Sequence, residues 1–250
     1  GVGVGSPGVC NKDTGMVERA ANLGFENLPI CAMLSEMLGK KVYIENDANA
    51  AALGEFIAGA AKDVNNCVCI TLGTGVGGGV IIDGKVFAGS NFAGTELGHT
   101  VIVVDGEPCS CGRRGCWEAY ASATGLIRQT RRAMEEHKDS KMWDIAGSLD
   151  KVDGRTSFEA MRAGDAAGKA VVDKYIYYIA VGLINMINIF QPEVLCVGGG
   201  ICKEGETLMA PLRKYIDAEQ FGKYSEKKTK LCVAALGNDA GIIGAAGLVE

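Results

Sequence analysis

Short apolar runs of strand length recur along the chain, many of them ending in glycine, asparagine or aspartate. Runs of this kind, rich in valine, isoleucine and cysteine, are typical of buried strands. The run NNCVCITLGTGVGGGVIIDGKVFAG predicts three strands: one on each side of the first glycines and a third after the Asp83-Gly84 turn. The other predicted strands are residues 1–4, the run KKVYIEND that ends at residues 45–47, EVLCVGGGI and KLCVAAL. The Asp-Gly pair between two apolar runs predicts a hairpin.

Between these runs, apolar residues recur at helical spacing. The predicted helices are residues 29–38, 47–61, 118–138, 165–190, 205–219 and 238–250. Asn46 or Asp47 is placed to cap the second of them, which is rich in alanine. Because strands alternate with helices and carry β-branched residues, the pattern predicts an α/β fold.

Composition is typical of a soluble globular protein. Hydrophobic residues make up 48% and charged residues 22% of the chain, and no apolar run approaches the roughly 20 residues that a membrane helix needs. The net charge of −5 argues against a nucleic-acid-binding face, which would be basic. The mixed-sign residues 128–138 predict a solvated helix face, with His137 at the surface. The start GVGVGSPGV lacks the basic segment of a signal peptide, and we expect a cytoplasmic protein without a membrane or nucleic-acid partner.

The ten cysteines do not form a disulfide framework, since most lie in or beside apolar runs and three others are clustered. His99, Cys109, Cys111 and Cys116 form the pattern H-x9-C-x-C-x4-C, with glycines between the last two cysteines. Structural zinc takes four tetrahedral ligands, commonly three cysteines and a histidine. The alternative is three free thiols near a core histidine, but this density of ligands favours zinc.

Two further features indicate a ligand site. Asp47 lies where a strand meets a helix, at the edge of an α/β sheet where ligands gather, although capping the helix is a simpler role for it. The glycine loops GVGVGSPG, LGTGVGGG and VGGGI follow or join apolar strands, where backbone amides can face a phosphate. Glycine turns are common, and LGTGVGGG is not a P-loop because it lacks the lysine and precedes a strand.

Several segments together resemble the ROK family of sugar kinases and sugar-responsive repressors, and in particular its bacterial glucokinases. They are SPG at 6–8, ENDANAAALGE at 45–55, TLGTGVGGG at 71–79, TELGH at 95–99, CSCGRRGCWE at 109–118, VGGGI at 197–201 and NDAGIIGAA at 238–246. The resemblance spans essentially the whole chain. It implies an actin-like (ribonuclease H-like) α/β fold with a small lobe of residues 1–60 plus 239–250. The large lobe would hold residues 61–238, with a zinc knuckle at 99–116.

The resemblance also implies roles for the matching positions. Asp47 would be the general base that takes the proton of the sugar 6-hydroxyl. The sugar pocket would be formed by Pro7, Gly8, Asn46, Asp47, Glu96, His99 and Glu118. The nucleotide site would be formed by Gly73, Thr74 and Gly75 at the phosphates and by Gly198, Gly199 and Gly200 near the adenosine. A side chain at Gly75 is expected to obstruct ATP and not the sugar.

The implied reaction is phosphoryl transfer from ATP, with magnesium, to a hexose, and glucose is the expected substrate. The zinc would be structural: it would bind one ring nitrogen of His99 and leave the other to the sugar. The long apolar helix at 165–190 and the habit of the family predict a homodimer.

One feature of the family's kinases is absent from these 250 residues. Those kinases begin with a hairpin that bears an Asp-x-Gly-Gly-Thr phosphate loop, and this sequence starts at the segment that follows it. We therefore expect that residues are missing upstream or that another domain is joined there. The rival interpretation is a sugar-sensing repressor, whose helix-turn-helix domain would lie upstream, and a third is a sugar-binding module without activity. Asp47 and the complete LGTGVGGG loop favour the kinase.

Overall fold

A computed structural model describes residues 1–20 and 22–249. The strands in this part of the chain are β1 (Val2–Ser6), β2 (Val9–Asn11), β3 (Met16–Ala20), β4 (Phe25–Leu28), β5 (Val42–Asn46), β6 (Cys67–Leu72), β7 (Val76–Ile82), β8 (Lys85–Val86), β9 (Val194–Gly198) and β10 (Lys230–Val233). The helices are α1 (Ile30–Leu38), α2 (Asp47–Ala58), α3 (Glu118–Ala121), α4 (Ala123–Glu136), α5 (Met142–Ala146), α6 (Thr156–Arg162), α7 (Ala166–Phe190), α8 (Glu206–Glu219) and α9 (Ala240–Ala246). Short 3₁₀ turns lie at Leu97–His99, Leu149–Lys151, Gly200–Glu204 and Gly237–Asp239.

The largest sheet sets the positions of two glycine turns. Its strand order is β10-β9-β6-β7-β8, with β6 antiparallel to β7 and parallel to β9. The register of β6 and β7 pairs Leu72 with Val76, so the residues between them form a tight turn at the end of the sheet. The register of β6 and β9 pairs Thr71 with Gly198. Because parallel strands end at the same edge of a sheet, the turns after β6 and β9 lie side by side.

Helix α7 packs against this sheet and forms the centre of the core. Its buried residues include Tyr175, Ile179 and Leu183, which lie in one cluster with buried residues of the sheet and of α8. Gly182 leaves room for Trp117, because a Cβ there would lie within 1.9 Å of the indole ring. By length and apolarity alone α7 could cross a membrane, but most of the span is buried within the protein. Such burial is typical of a core helix.

Two smaller sheets come from residues 1–46. β1 and β5 are parallel, and their register pairs Ser6 with Asn46. β2, β3 and β4 form an antiparallel sheet. Cys10, Val17 and Ile44 are buried together in an apolar cluster that includes residues of α1. Helix α2 follows β5 directly and packs against β7 and α9, so it joins the smaller sheets to the large one.

Most of the predicted elements are confirmed. The strands β6 and β7, the hairpin that β7 and β8 form at Asp83-Gly84, and the helices α1, α2, α7, α8 and α9 lie where the sequence pattern placed them, with ends shifted by a few residues. Asn46 is the cap residue of α2, and Asp47 is the first residue of that helix. His137 is exposed, as predicted. The last predicted helix ends at Ala246, and Glu250 lies outside the described residues.

The single helix predicted over residues 118–138 was wrong. The chain is extended at Ser122, which separates α3 from α4. The Ser122 hydroxyl accepts a hydrogen bond from the amide of Gly125 and so caps α4. The pattern also failed to predict β2, β3, β4, α5 and α6. β3 and β4 are short and carry charged residues, so their apolar alternation is weak.

Candidate active site

A cavity of about 670 Å³ opens where the turn between β6 and β7 meets the start of α2. It is lined by residues that the sequence predicted for the sugar and the phosphates: Pro7, Gly8, Asn46, Asp47, Gly73, Thr74, Gly75, Glu96, His99 and Glu118. Three carboxylates are among them, and no lysine or arginine of the described residues lines the cavity. The cavity therefore offers hydrogen-bond acceptors and backbone amides in a negative environment.

The corner between β5 and α2 presents Asp47. The side-chain oxygen of Asn46 caps the helix, and its nitrogen donates to the carbonyl of Gly8 at 3.1 Å. Beneath it, the buried carboxylate of Glu45 accepts hydrogen bonds from the Asn46 amide at 2.9 Å and from the Asn49 side chain at 3.1 Å. Asp47 itself is exposed to the cavity at the first turn of α2, where the helix dipole favours a carboxylate.

The turn between β6 and β7 has two backbone amides available for a ligand. Gly73 donates its N–H to the carbonyl of Gly75 at 3.0 Å, and Val76 donates to Oε2 of Glu118 at 3.0 Å. Among the described residues, the amides of Thr74 and Gly75 have no acceptor. Unpaired amides in a glycine turn are groups that bind phosphate.

Glu118 also contacts this turn from the side. A Cβ built on Gly75 would lie 2.4 Å from Oε2 of Glu118, whereas a Cβ on Gly73 would meet nothing within 4 Å. A side chain at Gly75 therefore displaces a residue of the predicted sugar pocket. This contact contradicts the expectation that such a side chain obstructs ATP alone.

The four predicted zinc ligands converge. One ligand atom each of His99, Cys109, Cys111 and Cys116 lies within 4.8 Å of the others. The sulfurs of Cys111 and Cys116 are 3.7 Å apart, and Sγ of Cys109 is 3.5 Å from Nδ1 of His99. A tetrahedron with Zn–S bonds of ~2.3 Å and a Zn–N bond of ~2.0 Å places its ligand atoms ~3.5–3.8 Å apart. The donor set therefore fits zinc in chemistry and in size.

The surroundings of Cys116 oppose its thiolate form. Burial, together with contacts to the thiols of Cys111 and Cys109, raises the pKa of the Cys116 thiol to about 12. A cysteine binds zinc as the thiolate, and the charge of the ion is what removes the proton. Without a cation, Cys116 is a neutral thiol at physiological pH.

His99 connects the ligand cluster to the cavity. Its Nδ1 faces Cys109, and its Nε2 lies 4.0 Å from Oε2 of Glu96 and is left for a ligand of the cavity. The loop that carries both residues is tied to α2, because the hydroxyl of Thr95 lies 3.2 Å from the side-chain oxygen of Asn49. Thr95 has a positive φ of 63°, a conformation that is uncommon for a β-branched residue.

A second cavity of about 440 Å³ contains Gly198, Gly199 and Gly200. Ala51 and Thr71 line both cavities, so the two are adjacent. Gly199 has a φ of 102°, and a Cβ there would lie 2.0 Å from the carbonyl oxygen of Leu72, so only glycine fits this turn. The structure thus brings the predicted sugar, phosphate and adenosine residues into two neighbouring cavities.

The buried carboxylate of Glu55 supports the second cavity and was not predicted. Its oxygens accept backbone hydrogen bonds from Ala60 at 2.8 Å, Ala235 at 3.0 Å and Leu236 at 2.8 Å. Three amides on one carboxylate hold the chain after β10 against α2. A glutamate in an alanine-rich helix was the available signal for such a role. Asn49 and Thr95 were missed in the same way, because 46 positions separate them in the sequence.

Comparisons with known proteins agree with this arrangement. The profile of the ROK family matches residues 1–250. A glucokinase of Halalkalibacterium halodurans is 40% identical over 254 residues, which cover 100% of this chain and 76% of that protein. A xylose repressor of Caldicellulosiruptor bescii is 32% identical over 224 residues, which cover 88% of this chain and 55% of the repressor.

The fold is also that of a solved relative. The crystal structure of a ROK family glucokinase from Streptomyces griseus in complex with glucose and AMPPNP matches with a TM-score of 0.85 and 34% identity, over 98% of this chain and 80% of that one. The mixed α/β, actin-like ATPase fold that the sequence motifs implied is therefore confirmed.

Proposed function

The chain belongs to the ROK family, and from that premise we propose that it transfers the γ-phosphoryl group of ATP to a hydroxyl of glucose. One observation carries the proposal. Asp47, an exposed carboxylate at a helix start, shares a cavity with hydrogen-bonding side chains and with the glycine turn whose amides are unpaired. The glucokinase relative and the solved glucokinase with bound glucose and AMPPNP support both the sugar and the donor.

The charges of the first cavity favour a neutral polyol as the acceptor. Asp47, Glu96 and Glu118 line it, and no described lysine or arginine opposes them. Carboxylates accept hydrogen bonds from hydroxyl groups, and they repel an anionic substituent on a sugar that lies against them. A sugar phosphate or a sugar acid is therefore disfavoured, whereas a hexose with several free hydroxyls fits.

Asp47 acts in this proposal as the general base. Its carboxylate accepts the proton of the sugar 6-hydroxyl as that oxygen forms a bond to the γ-phosphorus. The bond from phosphorus to the bridging oxygen breaks, and ADP leaves with the electron pair. Such transfer depends mainly on positioning and on charge stabilisation. The amides of Thr74 and Gly75 hold the phosphates, while Asn46, Glu96, His99 and Glu118 hold the sugar.

Two metal ions have separate roles. Zinc held by His99, Cys109, Cys111 and Cys116 would be structural, because four protein ligands would leave no open position for catalysis. Magnesium, when bound with the nucleotide, neutralises phosphate charge, which the cavity's own residues do not. Mg²⁺ commonly keeps several waters and binds substrate phosphates with one or two carboxylates, and the carboxylates that line this cavity are Asp47, Glu96 and Glu118.

The test of the base is Asp47→Asn. We expect the rate of hexose-dependent ADP release to fall by about 10²–10⁴-fold, the usual contribution of a general base. Glucose affinity, measured by calorimetry, should change much less, because asparagine keeps the size and one acceptor. The matched control is Asp83→Asn, the same change in an exposed surface turn. Asp83 has a φ of 50°, which asparagine tolerates. Unchanged turnover in Asp47→Asn would contradict the assignment.

The likeness to a xylose repressor favours a second candidate, a sugar-sensing regulator. A regulator binds the sugar in the same cavity without transferring phosphate. Glucose binding by the wild-type chain without ADP release, and unchanged by Asp47→Asn, would support it. The cytoplasmic location, the homodimer, and the absence of membrane and nucleic-acid partners stay predictions.

A further inference from the structure

Three cysteines form a row across the large sheet, apart from the zinc ligands. The strand registers pair Cys196 of β9 with Cys69 of β6 on one side and with Cys232 of β10 on the other. Paired residues of neighbouring strands point to the same face of a sheet, so the three side chains share one face. The sulfurs of Cys196 and Cys232 are 3.5 Å apart.

This row lies at the wall of the second cavity. Cys69 and Cys196 line that cavity together with Gly198–Gly200. Cys196 is buried in the sheet, whereas Cys232 is half-buried on β10, which is the edge strand. A small oxidant can therefore reach Cys232 from the edge of the sheet, and Cys196 lies directly behind it.

We propose that Cys196 and Cys232 form a thiol-oxidation site, in which a reversible disulfide between them weakens nucleotide binding in the adjacent cavity. The oxidant is a peroxide or a small-molecule disulfide. With the disulfide, one cysteine forms a mixed disulfide and releases one small thiol, and attack by the second cysteine closes the protein disulfide and releases the other small thiol. A thiolate of the pair attacks one peroxide oxygen, the O–O bond breaks, and a sulfenic acid and one water form. The second thiol attacks that sulfur, the S–S bond forms, and a second water leaves. Two thiols and one hydrogen peroxide thus give one disulfide and two waters.

The backbone geometry allows this bond. Neighbouring strands lie ~4.8 Å apart, within the Cα separation of ~4.4–6.8 Å that disulfides span. The hydrogen bond between the two sulfurs favours the thiolate of Cys196 and lowers its pKa, although burial opposes the shift. The same hydrogen bond raises the pKa of Cys232.

Closure of the bond would change the wall of the cavity, because Cys196 is part of that wall. The sulfurs are 3.5 Å apart, and a disulfide requires ~2.05 Å, so β9 and β10 or their side chains must move. Ala234 and Asn238, which follow β10, line the same cavity as the glycines after β9. The effect on nucleotide rests on the proposed function, whereas the disulfide itself does not.

The experiment treats the zinc-loaded wild-type chain with hydrogen peroxide or with oxidised glutathione. Peptide mapping by mass spectrometry identifies the linked cysteines, and AMPPNP titration measures nucleotide affinity before treatment, after treatment and after reduction. We expect a Cys196–Cys232 cross-link and a loss of AMPPNP affinity of at least about tenfold, both reversed by dithiothreitol. Cys232→Ser should abolish both effects. Cys31→Ala, which removes a thiol from the core of the small sheets, should leave both effects unchanged.

Each outcome separates the two parts of the proposal. A linkage of Cys196 to Cys69, or no linkage at peroxide levels that oxidise exposed thiols, overturns the assigned pair. A Cys196–Cys232 linkage with unchanged AMPPNP affinity overturns the regulatory effect and leaves the oxidation site. If untreated protein binds no AMPPNP, the donor assignment under the proposed function fails, and the linkage is still read from the mapped peptides.

Discussion

The glycine turn between β6 and β7 supports a prediction about two alanine substitutions. Gly75→Ala should weaken glucose binding, whereas Gly73→Ala should not. In Gly75→Ala the new Cβ lies 2.4 Å from Oε2 of Glu118, which is closer than any stable contact, so the carboxylate must move. Oε2 also accepts the amide of Val76 at 3.0 Å, and that bond is lost when the carboxylate leaves. In Gly73→Ala the methyl group meets no protein atom within 4 Å and projects into open space of the cavity.

The sizes of the two effects follow from these contacts. A hydrogen bond to a charged group contributes about 1.5–3 kcal/mol, so displacing Glu118 from a sugar hydroxyl should weaken glucose binding by about 10- to 150-fold. Gly75→Ala should also weaken nucleotide binding, because its own amide is one of the two that face the phosphates. Gly73→Ala should leave glucose affinity within about twofold and weaken nucleotide binding, since its methyl group takes space beside those amides.

The assay is calorimetric titration of wild type and both variants with glucose and with AMPPNP, with thermal unfolding as the check on folding. Normal glucose affinity in Gly75→Ala would show that Glu118 is not a sugar ligand. Loss of glucose affinity in Gly73→Ala, with an intact fold, would refute the separation of the two ligands along the turn.

Three further predictions concern the metal, the nucleotide wall and acid stability. Cys111→Ser should lose zinc by elemental analysis and lose glucose affinity more than AMPPNP affinity; a zinc-free wild type that binds glucose normally would contradict this link. Glu55→Gln places an NH₂ group against backbone amides, and the unpaired donors should lower the free energy of unfolding by about 1–3 kcal/mol. The same variant should bind AMPPNP more weakly and glucose almost unchanged. Burial raises the pKa of Asp165, but hydrogen bonds from the amides of Gly168 and Lys141 hold that pKa below its usual value. This depressed pKa stabilises the fold above the unfolded pKa of about 3.9, and the contribution is lost as pH falls through the folded pKa. Asp165→Asn should therefore lower the urea midpoint at pH 7, and its deficit should shrink below about pH 4.

The long periodic elements could be predicted because their signals are local. Helix α7 is a long, apolar stretch of the sequence, and β6 and β7 are two apolar runs separated by a glycine turn. The chain between Leu23 and Leu28 shows no such pattern, because β4 is four residues long and finds its place only by pairing with β3. The break at Ser122 was hidden because α3 and α4 read as one helix when only apolar spacing is considered.

The site was predictable where one residue type implies one chemistry. A histidine and three clustered cysteines imply a metal, and their ligand atoms converge as that chemistry requires. The supporting residues were not predictable. Glu55 bonds to amides about 180 positions later in the chain, and Thr95 meets Asn49 across a loop. Such contacts depend on the packing of α2 against the large sheet, and no local pattern reports that packing.

Glu118 explains why the metal cluster and the phosphate turn occur in one fold. It follows the last cysteine of the cluster by two residues, and its Oε1 lies 3.2 Å from the Ser110 hydroxyl between the first two cysteines. Its other oxygen accepts a hydrogen bond from the amide of Val76 at the end of the glycine turn. A single carboxylate therefore connects the loop that zinc would order with the turn that would bind phosphate. If the sugar draws Glu118 toward its hydroxyl groups, the amide of Val76 is released at the same step. Sugar and nucleotide should then bind with a mutual coupling, which is equal in both directions by linkage. Titrating AMPPNP with and without saturating glucose measures that coupling, and Glu118→Gln should reduce it more than Glu96→Gln does.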